Sequence, residues 1–437
     1  MTARLATLAA LSALGLAACS TADRVTAPLA GLTFDIQPAD VCDGVFVTIP
    51  ECEALVALYN STNGDEWTDA TNWGADNKPC GWAGVTCQNG DMGPVVVLAF
   101  LSGQNMSGTL PPELGNLFAI LGISFGHNEL TGPIPPELGS LANLRNLDLT
   151  LNALTGPIPA TLGNLANLET LELGGNQLTG PIPAWLGNLE HLRILQLWEN
   201  ELTGTIPAAL GSLGNLERLE LNSNQLTGTI PPELGDLEAL QQLQLHNNQL
   251  TGSIPPELGS LANLGGLILS FNQLSGTIPA ELGNLGSIQL LSAVNNQLTG
   301  LVPLPVAALE QTAVCLLNNN EGLFVPDIAS YQAVATNGLI CNLPLSSAED
   351  IGDDAVDQIE ELVPDPLVSG QANALISKIE NAVAKAANGQ YQAAINQMEA
   401  FISQLNTMVG DGILMPAEAA PFLVQAQSLI DIWTEAL

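Results

Sequence analysis

A period of 24 residues constrains this chain more than any other feature of its sequence. The apolar frame L-x-x-L-x-L-x-x-N-x-L-[T/S]-G-x-I-P, or a close variant, recurs around Asn128, Asn152, Asn176, Asn200, Asn224, Asn248, Asn272 and Asn296. A fixed period with one apolar template indicates a supersecondary unit stacked on itself, because a single unit cannot bury its own apolar side. Such a stack exposes a long surface and seldom encloses a pocket. The repeat therefore favours a binding protein over an enzyme.

Each repeat begins with alternating apolar residues, as in Leu219-Glu220-Leu221, which predicts a short strand with its leucines inward. The repeated Asn then falls at a sharp turn, where a buried amide can satisfy backbone groups of two coils. The Leu-Thr-Gly-x-Ile-Pro segment turns the chain back, because Gly permits unusual dihedral angles and Pro fixes φ. We therefore give the asparagines a structural role and expect degraded terminal repeats at Asn105 and Asn319.

The first residues have the pattern of an export signal. Arg4 supplies a short positive segment, and the apolar run Leu5–Leu16 is too short to span a bilayer. The run ends in Leu16-Ala17-Ala18-Cys19, which resembles the lipobox of bacterial lipoproteins. This resemblance implies lipidation of Cys19 and, because Ser20 follows it, an anchor in the bacterial outer membrane or at the cell surface. The alternative is a plain signal peptide that is cleaved near Ala18.

The remaining six cysteines lie outside the repeats: Cys42, Cys52, Cys80, Cys87, Cys315 and Cys341. An even number of cysteines in an exported protein implies disulfides. Pairing of near neighbours, Cys42–Cys52, Cys80–Cys87 and Cys315–Cys341, is the simplest of many connectivities, because the stack holds its two ends far apart. No metal site is expected, since the chain has no C-x-x-C motif and its three histidines are scattered.

The repeat resembles the plant-specific subclass of leucine-rich repeats, which occurs in plant receptor ectodomains and polygalacturonase-inhibiting proteins. The resemblance implies an α/β-type leucine-rich-repeat superhelix with a parallel concave β-sheet and disulfide-bonded caps. Trp73 and the segment Cys80-Gly81-Trp82-Ala83-Gly84-Val85-Thr86-Cys87 are similar to the cap that precedes plant-type repeats, in which the two cysteines pair. We expect Trp73 and Trp82 to cover the open end of the stack, beside an apolar helix around Ala54–Tyr59.

These patterns divide the chain into a signal peptide at 1–18, a tether at 19–40, an N-terminal cap at 41–95, repeats with a C-terminal cap at 96–343, an acidic helical linker at 344–365 and an all-α domain at 366–437. Apolar residues at helical spacing predict three helices in the last part, at Val368–Ala387, Tyr391–Val409 and Pro416–Ala436. The stretch 386–402 resembles FIMAH-type domains, small helical modules of bacterial exported proteins. That resemblance does not indicate a particular activity.

The side chains that point outward from the parallel strands form columns about 4.8 Å apart on the expected concave face. Candidate ligand-binding residues in these columns are Asp148, Glu172, Gln196, Trp198, Glu220, Asn222, Gln244, His246 and Phe271. Aromatic rings beside acids and amides suit a peptide or a sugar ring, through stacking and directed hydrogen bonds. Alternatively, variable outward positions only keep the solenoid soluble, and Trp198 is the hardest to explain in that way.

Two apparent catalytic motifs are inconsistent with the structure that the repeat pattern predicts. Ser124 lies in a G-x-S-x-G match, but a nucleophile elbow needs a strained strand-to-helix turn and this stretch is an ordinary repeat strand. His127 and His246 are five repeats apart, roughly 24 Å along the stack, so they cannot share a metal. We therefore expect no catalytic residue, no metal and no cofactor.

Charge narrows the class of partner. Eight Lys and Arg residues stand against 44 Asp and Glu residues, for a formal charge of −36, which repels nucleic acid. We expect a non-catalytic extracytoplasmic protein whose concave face binds a protein, a peptide or a glycan. The alternatives are an inhibitor-like or adhesive protein acting on carbohydrate-active proteins or surface glycans, and a structural spacer that displays partners.

Overall fold

The computed structural model describes residues 35–42, 47–75, 78–90, 93–311, 313–320, 322–326, 333, 335, 339–341, 343–346, 369–410, 413, 419, 423, 426, 427, 429, 430, 433 and 434. The export signal with Cys19, most of the tether and most of the acidic linker therefore lie outside the described residues. The repeats form a solenoid with two β-sheets, and its strands are numbered here in chain order.

The inner sheet contains β1 (Val85–Gly90), β2 (Gly93–Phe100), β4 (Gly122–Ser124), β6 (Asn146–Asp148), β8 (Thr170–Glu172), β10 (Ile194–Gln196), β12 (Arg218–Glu220), β14 (Gln242–Gln244), β16 (Gly266–Ile268), β18 (Leu290–Ser292) and β20 (Val314–Leu316). From β2 onward the strands are parallel and paired in repeat register, so that Leu195 lies beside Leu219. The outward side chains of these strands and of the turns that follow them constitute the concave face.

The outer sheet contains β3 (Ser107–Thr109), β5 (Glu129–Pro133), β7 (Ala153–Gly156), β9 (Gln177–Pro181), β11 (Glu201–Thr205), β13 (Gln225–Gly228), β15 (Gln249–Gly252), β17 (Gln273–Gly276), β19 (Gln297–Leu301), β21 (Gly322–Pro326), β22 (Leu339–Ile340) and β23 (Leu343–Ser346). Its strands are parallel except for the antiparallel pair β22–β23. From β5 to β19, each strand contains the Leu-Thr-Gly or Leu-Ser-Gly segment of one repeat, which follows directly on the asparagine turn.

Short 3-10 turns return the chain to the inner sheet: Pro112–Asn116, Pro136–Ser140, Ala160–Asn164, Ala184–Asn188, Ala208–Ser212, Pro232–Asp236, Pro256–Ser260 and Ala280–Asn284. Their glycines allow neighbouring repeats to approach closely. A Cβ at Gly211 would lie 2.3 Å from the carbonyl oxygen of Glu233 in the next repeat. The invariant spacing of the stack therefore depends on the missing side chain at this position.

Leucines from every repeat form one continuous core. Leu219, Leu221, Leu226 and Leu234 of one repeat are all fully buried, and the equivalent residues of the neighbouring repeats continue the cluster. Burial of one such side chain contributes about 1.5–3 kcal/mol, and no repeat could gain it without its neighbours. The alternation predicted from the sequence is confirmed.

The repeated asparagines form a second continuous element beneath the turns. The Asn224 Nδ2 donates to the carbonyl oxygens of Leu197 and Leu221, and its Oδ1 accepts from the Leu202 amide in the preceding repeat. At the C-terminal end the expectation of Asn319 was wrong. Asn320 makes these bonds to Leu298, Ala293 and Leu317, whereas Asn319 has a left-handed φ of 58° and lies beside the ladder.

The expectation for the first repeat was also off by one residue. The position that is one period before Asn128 is occupied by Gln104, whose backbone amide donates to the Asn128 Oδ1. Asn105 instead donates to the Glu66 carbonyl oxygen in the cap. The strict period thus places Gln104 and Asn320 at the two ends, and the Gln104 side chain accepts from the Asp69 amide of the cap in place of a preceding repeat.

The N-terminal cap contains α1 (Pro38–Val41) and α2 (Ile49–Ser61). Thr48 and Glu51 form a capping box at the start of α2, and the buried Glu51 also accepts from the Val96 amide of the inner sheet. Trp73 and Trp82 are almost fully buried with ring centroids 4.9 Å apart, which confirms their capping role. All three predicted disulfides, Cys42–Cys52, Cys80–Cys87 and Cys315–Cys341, are present.

The C-terminal part begins with the short α3 (Leu304–Ala307) and the 3-10 turn Ala308–Gln311, and after the last repeat it forms α4 (Ser369–Ala387) and α5 (Tyr391–Gly410). Both long helices agree with the predicted bounds to within one residue. The predicted third helix is described only at isolated positions, several of which are helical, and Trp433 is buried there.

The expected acidic linker is not helical where it begins, because Leu343–Ser346 forms a strand that pairs with β21. The core of the long helices includes Met398 and Phe401, and Phe324 of the outer sheet packs into it. The helices therefore lie against the last outer strands, where they cover apolar surface at the end of the stack.

Candidate binding surface on the concave face

Trp198 lies flat on the concave face because the neighbouring repeat has glycines beneath its ring. A Cβ at Gly174 would lie 2.4 Å from the indole Cε2, and one at Gly175 would lie 3.2 Å from Cζ3. The indole therefore occupies the space of two missing side chains and presents its other face outward. This is the arrangement of a stacking platform, and the half-buried ring is held without a pocket of its own.

Asn222 and His246 continue the column of Trp198 on the next two repeats. The backbone ladder stays in register here, since the amide of Glu199 donates to the Asn222 carbonyl and that of Ser223 to the His246 carbonyl. The Asn222 Oδ1 and the His246 Nδ1 are both buried, and neither has a hydrogen-bond partner among the described residues. Buried polar atoms without a partner cost about 1–3 kcal/mol each, so native proteins seldom keep them without a use.

The acidic side chains of the concave face differ in how exposed they are and in how many hydrogen bonds they already make within the protein. Asp148 is engaged within the face, because its Oδ1 accepts from the amide and hydroxyl of Thr150 and its Oδ2 accepts from the Ser124 hydroxyl. Glu220 is only 8 % exposed and accepts a hydrogen bond from Gln196. Its burial shows that an outward position in the sequence pattern is not always an exposed one.

Burial raises the pKa of both Glu172 and Glu220 above the ordinary value of 4.5. For Glu172 the carboxylates of Asp148 and Glu220 add to this effect, while Arg218 opposes it. Burial also lowers the pKa of His246 below 6.5. All three shifts favour the neutral form, because removing a charged group from water costs free energy.

The residue before each repeated asparagine adopts a left-handed backbone conformation. This holds for His127, Leu151, Gly175, Glu199, Ser223, Asn247, Phe271 and Asn295, with φ between 47° and 67°. Bulky residues rarely adopt this conformation. Phe271 is nevertheless found there with 52 % of its surface exposed. Neither solubility nor backbone preference accounts for an exposed phenylalanine at such a position.

A groove of about 430 Å³ lies at the N-terminal halves of β14, β16 and β18, beside the column of Trp198, Asn222 and His246. Five amide side chains line it, together with Ser287, Ile268 and Leu290, and the amides belong to Gln241, Gln242, Gln244, Asn263 and Gln289. It opens where Gly265 and Gly266 replace larger residues of the other repeats. Of the sequence-predicted residues the groove contains Gln244, and the column contains Trp198, Asn222 and His246.

Sequence reasoning identified the column that contains Phe271 but missed its left-handed backbone conformation, and it missed the groove. The groove could have been found from the two consecutive glycines Gly265-Gly266, where the repeats on either side carry Gln241-Gln242 and Gln289-Leu290. Ser124, the centre of the apparent nucleophile motif, lies in β4 between buried Ile123 and Phe125, as predicted. Within the described part of the chain there is no cluster of three potential metal ligands and no helix with the length and hydropathy of a membrane span.

Comparison with known families places this surface on a recognised scaffold. Leucine rich repeat families match residues 142–202, 190–250 and 263–285, and the leucine rich repeat N-terminal domain matches residues 50–88. A probable inactive leucine-rich repeat receptor-like protein kinase of Arabidopsis thaliana is 40 % identical over 77 residues, or 17 % of this chain. The match spans 11 % of that relative.

Three solved structures are similar to the solenoid. The ectodomain of the Arabidopsis thaliana receptor kinase GASSHO1/SCHENGEN3, in complex with CASPARIAN STRIP INTEGRITY FACTOR 2, is 39 % identical with a TM-score of 0.59, covering 61 % of this chain and 32 % of that one. The Arabidopsis receptor kinase HAESA, in complex with the peptide hormone IDA and a co-receptor, is 32 % identical with a TM-score of 0.50, covering 60 % and 48 %.

The third is a plant ice-binding protein, 26 % identical with a TM-score of 0.51, for which the match covers 65 % of this chain and 99 % of that one. The chain spans about a third of the first receptor chain and about half of the second. The features shared with all three are the repeat fold and its parallel sheets. The central part of this protein is a leucine-rich-repeat solenoid, similar to those of the plant receptor ectodomains.

Proposed function

We propose that the concave face binds an extended peptide, free or as a segment of a protein, between Trp198 and Phe271. The observation that carries this proposal is a pair of buried polar atoms, the Asn222 Oδ1 and the His246 Nδ1, which have no hydrogen-bond partner in the described part of the chain and lie on the two repeats between the aromatic rings. If the half-buried Asn222 and His246 side chains turn toward a ligand that donates hydrogen bonds to these atoms, the complex recovers the free energy that the free protein forgoes. Backbone amides of a peptide are such donors.

The dimensions of the surface agree with a short extended segment. Trp198 and Phe271 are three repeats apart, which corresponds to about 14 Å along the stack. About four extended residues span this distance. The indole plane would stack on one end of the segment and the phenylalanine ring would contact the other.

Charge favours a neutral or basic segment. Two of the three solenoid arginines, Arg145 and Arg193, pair with Glu169 and Glu217 on the neighbouring repeats. The formal charge of −36 attracts cationic partners over long range and repels acidic ones. The half-buried Glu172 could pair with a basic side chain that approached the face.

The similar receptor ectodomain of HAESA supports the peptide class, since its structure contains the peptide hormone IDA. The two similar receptors do not extend the proposal to signalling, because this chain covers less than half of either receptor chain. The role that we propose is non-catalytic capture. Display of the ligand at a cell surface would follow if Cys19 carries a lipid.

The test uses peptides selected on the full chain from a random phage-displayed library. We expect Trp198→Ala to weaken binding of the enriched peptides by about tenfold or more, as for a central aromatic contact. The matched control is Thr131→Ala on the outer sheet, which should leave affinity unchanged. Equal affinity of the two variants would refute the concave site.

The location of the protein is a separate proposal. We propose that Cys19 is the lipidated residue of a bacterial lipoprotein and that the helical tail is a FIMAH-like module. Incorporation of radiolabelled palmitate into the wild-type chain but not into Cys19→Ala would support the anchor. Label in both chains, or in neither, would contradict it.

A second candidate function is adsorption to ice, which we propose on one specific observation. The plant ice-binding protein resembles this chain over 99 % of its own length, so the match includes its entire fold. Repeats at a fixed spacing supply the periodic surface that binding to a crystal needs. Thermal hysteresis of the full chain, measured by nanolitre osmometry, tests this function, and its absence would exclude it.

A further inference from the structure

We infer that the surface that contacts ice is the outer sheet of four consecutive repeats and not the concave face. This inference rests on the second proposed function. Its residues are the outward hydroxyls of two ranks, named here the hydroxyl ladder: Thr203, Thr205, Thr227, Thr229, Thr251, Ser253, Ser275 and Thr277. Seven of them are exposed, and Ser275 is half-buried.

The ladder repeats in two directions. Within one repeat, Thr227 and Thr229 are both exposed and the flanking Leu226 and Ile230 are buried, so both hydroxyls lie on the outer side, separated by Gly228 with its left-handed φ of 76°. Between strands the spacing is about 4.8 Å. The strands are staggered by two residues, so that Thr205 is the direct neighbour of Thr227. A two-dimensional lattice of hydroxyl and methyl groups results.

The side chains of the ladder are held in place by the sheet. A Cβ at Gly228 would lie 2.8 Å from the Thr205 Cγ2, so this methyl group rests on the bare backbone of the next repeat. The Thr229 methyl rests in the same way on Gly252. The Thr227 hydroxyl donates to the Gly204 carbonyl oxygen at 3.4 Å. Because threonine is already stiff at χ1, such a surface loses little entropy when it binds.

The ladder is uncharged in a chain with a formal charge of −36. The outward residues that precede it on successive strands are Gln225, Gln249 and Gln273, and Glu201 is the acidic member at one edge. An ice surface offers neutral hydrogen-bonding groups that repeat in two dimensions. It is therefore the occupant that matches both the periodicity and the neutrality of the ladder, whereas a peptide matches neither.

The repeats before the ladder provide an internal control. There the second rank is occupied by Pro133, Pro157 and Pro181, which have no hydroxyl. Thr131 of the first rank is exposed on β5 but has no hydroxyl beside it on its own strand. A substitution at Thr131 thus changes the same sheet without changing the two-dimensional lattice.

The experiment compares thermal hysteresis and the uptake of fluorescently labelled full chain into growing ice. We expect Thr229→Tyr with Thr251→Tyr to reduce both by about tenfold or more, because a bulky ring lifts the flat surface off the crystal. Thr131→Tyr and Trp198→Ala should retain the wild-type values. Thr251→Val keeps the side-chain shape and removes only the hydroxyl, so it should fold even if the tyrosine variants do not. Circular dichroism checks the fold of every variant.

The outcomes separate the inference from the function on which it rests. If the wild type shows no hysteresis and no uptake, the second function itself fails. If the wild type is active and the double tyrosine variant is equally active while folded, the assignment to the ladder is wrong although adsorption to ice stands. If Trp198→Ala alone lost thermal hysteresis and uptake into ice, the surface that contacts ice would be the concave face and not the hydroxyl ladder.

Discussion

Two asparagines in one repeat, Asn222 and Asn224, should respond to the same substitution with opposite signs. Asn224→Leu removes four side-chain hydrogen bonds, to Leu202, Leu197, Leu221 and Asn222. At about 1 kcal/mol each the loss is about 4 kcal/mol. The carbonyls of Leu197 and Leu221 keep one asparagine donor each from the neighbouring repeats, but the Leu202 amide keeps none.

Asn222→Leu removes instead a buried oxygen that has no partner within the described structure. We expect the free energy of unfolding of the ligand-free protein to rise by about 1 kcal/mol, because the desolvation cost of that oxygen disappears and no polar group is left unpaired. The same variant should bind the selected peptides more weakly. If removal of the Asn222 side chain stabilises the free protein and weakens peptide binding, the residue is retained for its ligand and not for folding.

The assay is urea unfolding of the full chain, followed by far-ultraviolet circular dichroism at fixed pH. The shift in midpoint between each variant and wild type gives the sign and the order of magnitude, even where a repeat protein unfolds in more than one step. A midpoint for Asn222→Leu that falls as far as that of Asn224→Leu would refute the reasoning, since it would show that the Asn222 amide is structural.

Three further predictions concern the same face. Gly174→Ala should push Trp198 off the sheet, because its Cβ would lie 2.4 Å from the ring; a red shift in tryptophan emission and a loss of peptide affinity check this. Glu172 and Glu220 have raised pKa values, so the stability that they contribute is complete below about pH 4.5 and is lost as the pH rises through their folded pKa. Their Gln variants should therefore melt higher than wild type above neutral pH and equally at acidic pH; a wild-type advantage above neutral pH would contradict this. His246 has a lowered pKa, so its contribution is present above pH 6.5 and is lost as the pH falls through the folded pKa. Peptide affinity should fall in the same range for wild type, and an unchanged affinity would show that the imidazole is not an acceptor.

The fold was predictable because one local rule is repeated many times. Each leucine of the frame has the same neighbours in every repeat, so the alternation around Leu219 fixes the burial of its equivalents. The disulfides followed from the separation of the two ends of the stack. The two expected end residues, Asn105 and Asn319, each missed the strict period by one position, because that period leads to Gln104 and to Asn320.

The binding surface was predictable as a list of columns but not as a geometry. Trp198 was identified from its residue type, whereas its flat orientation depends on Gly174 and Gly175, which look like gaps in the sequence. Glu220 was expected to be exposed, but Gln196 and its other neighbours cover it. Side-chain orientation on such a face is determined by the adjacent repeats, and a single repeat does not reveal it.

The concave site is tested most directly by isothermal titration of one library-selected peptide against wild type and Trp198→Ala, with Thr131→Ala as the control. We expect a loss of affinity of about tenfold or more for Trp198→Ala and none for the control. A dissociation constant for Trp198→Ala within about twofold of wild type, for a peptide that competes with every other selected sequence, would contradict the site.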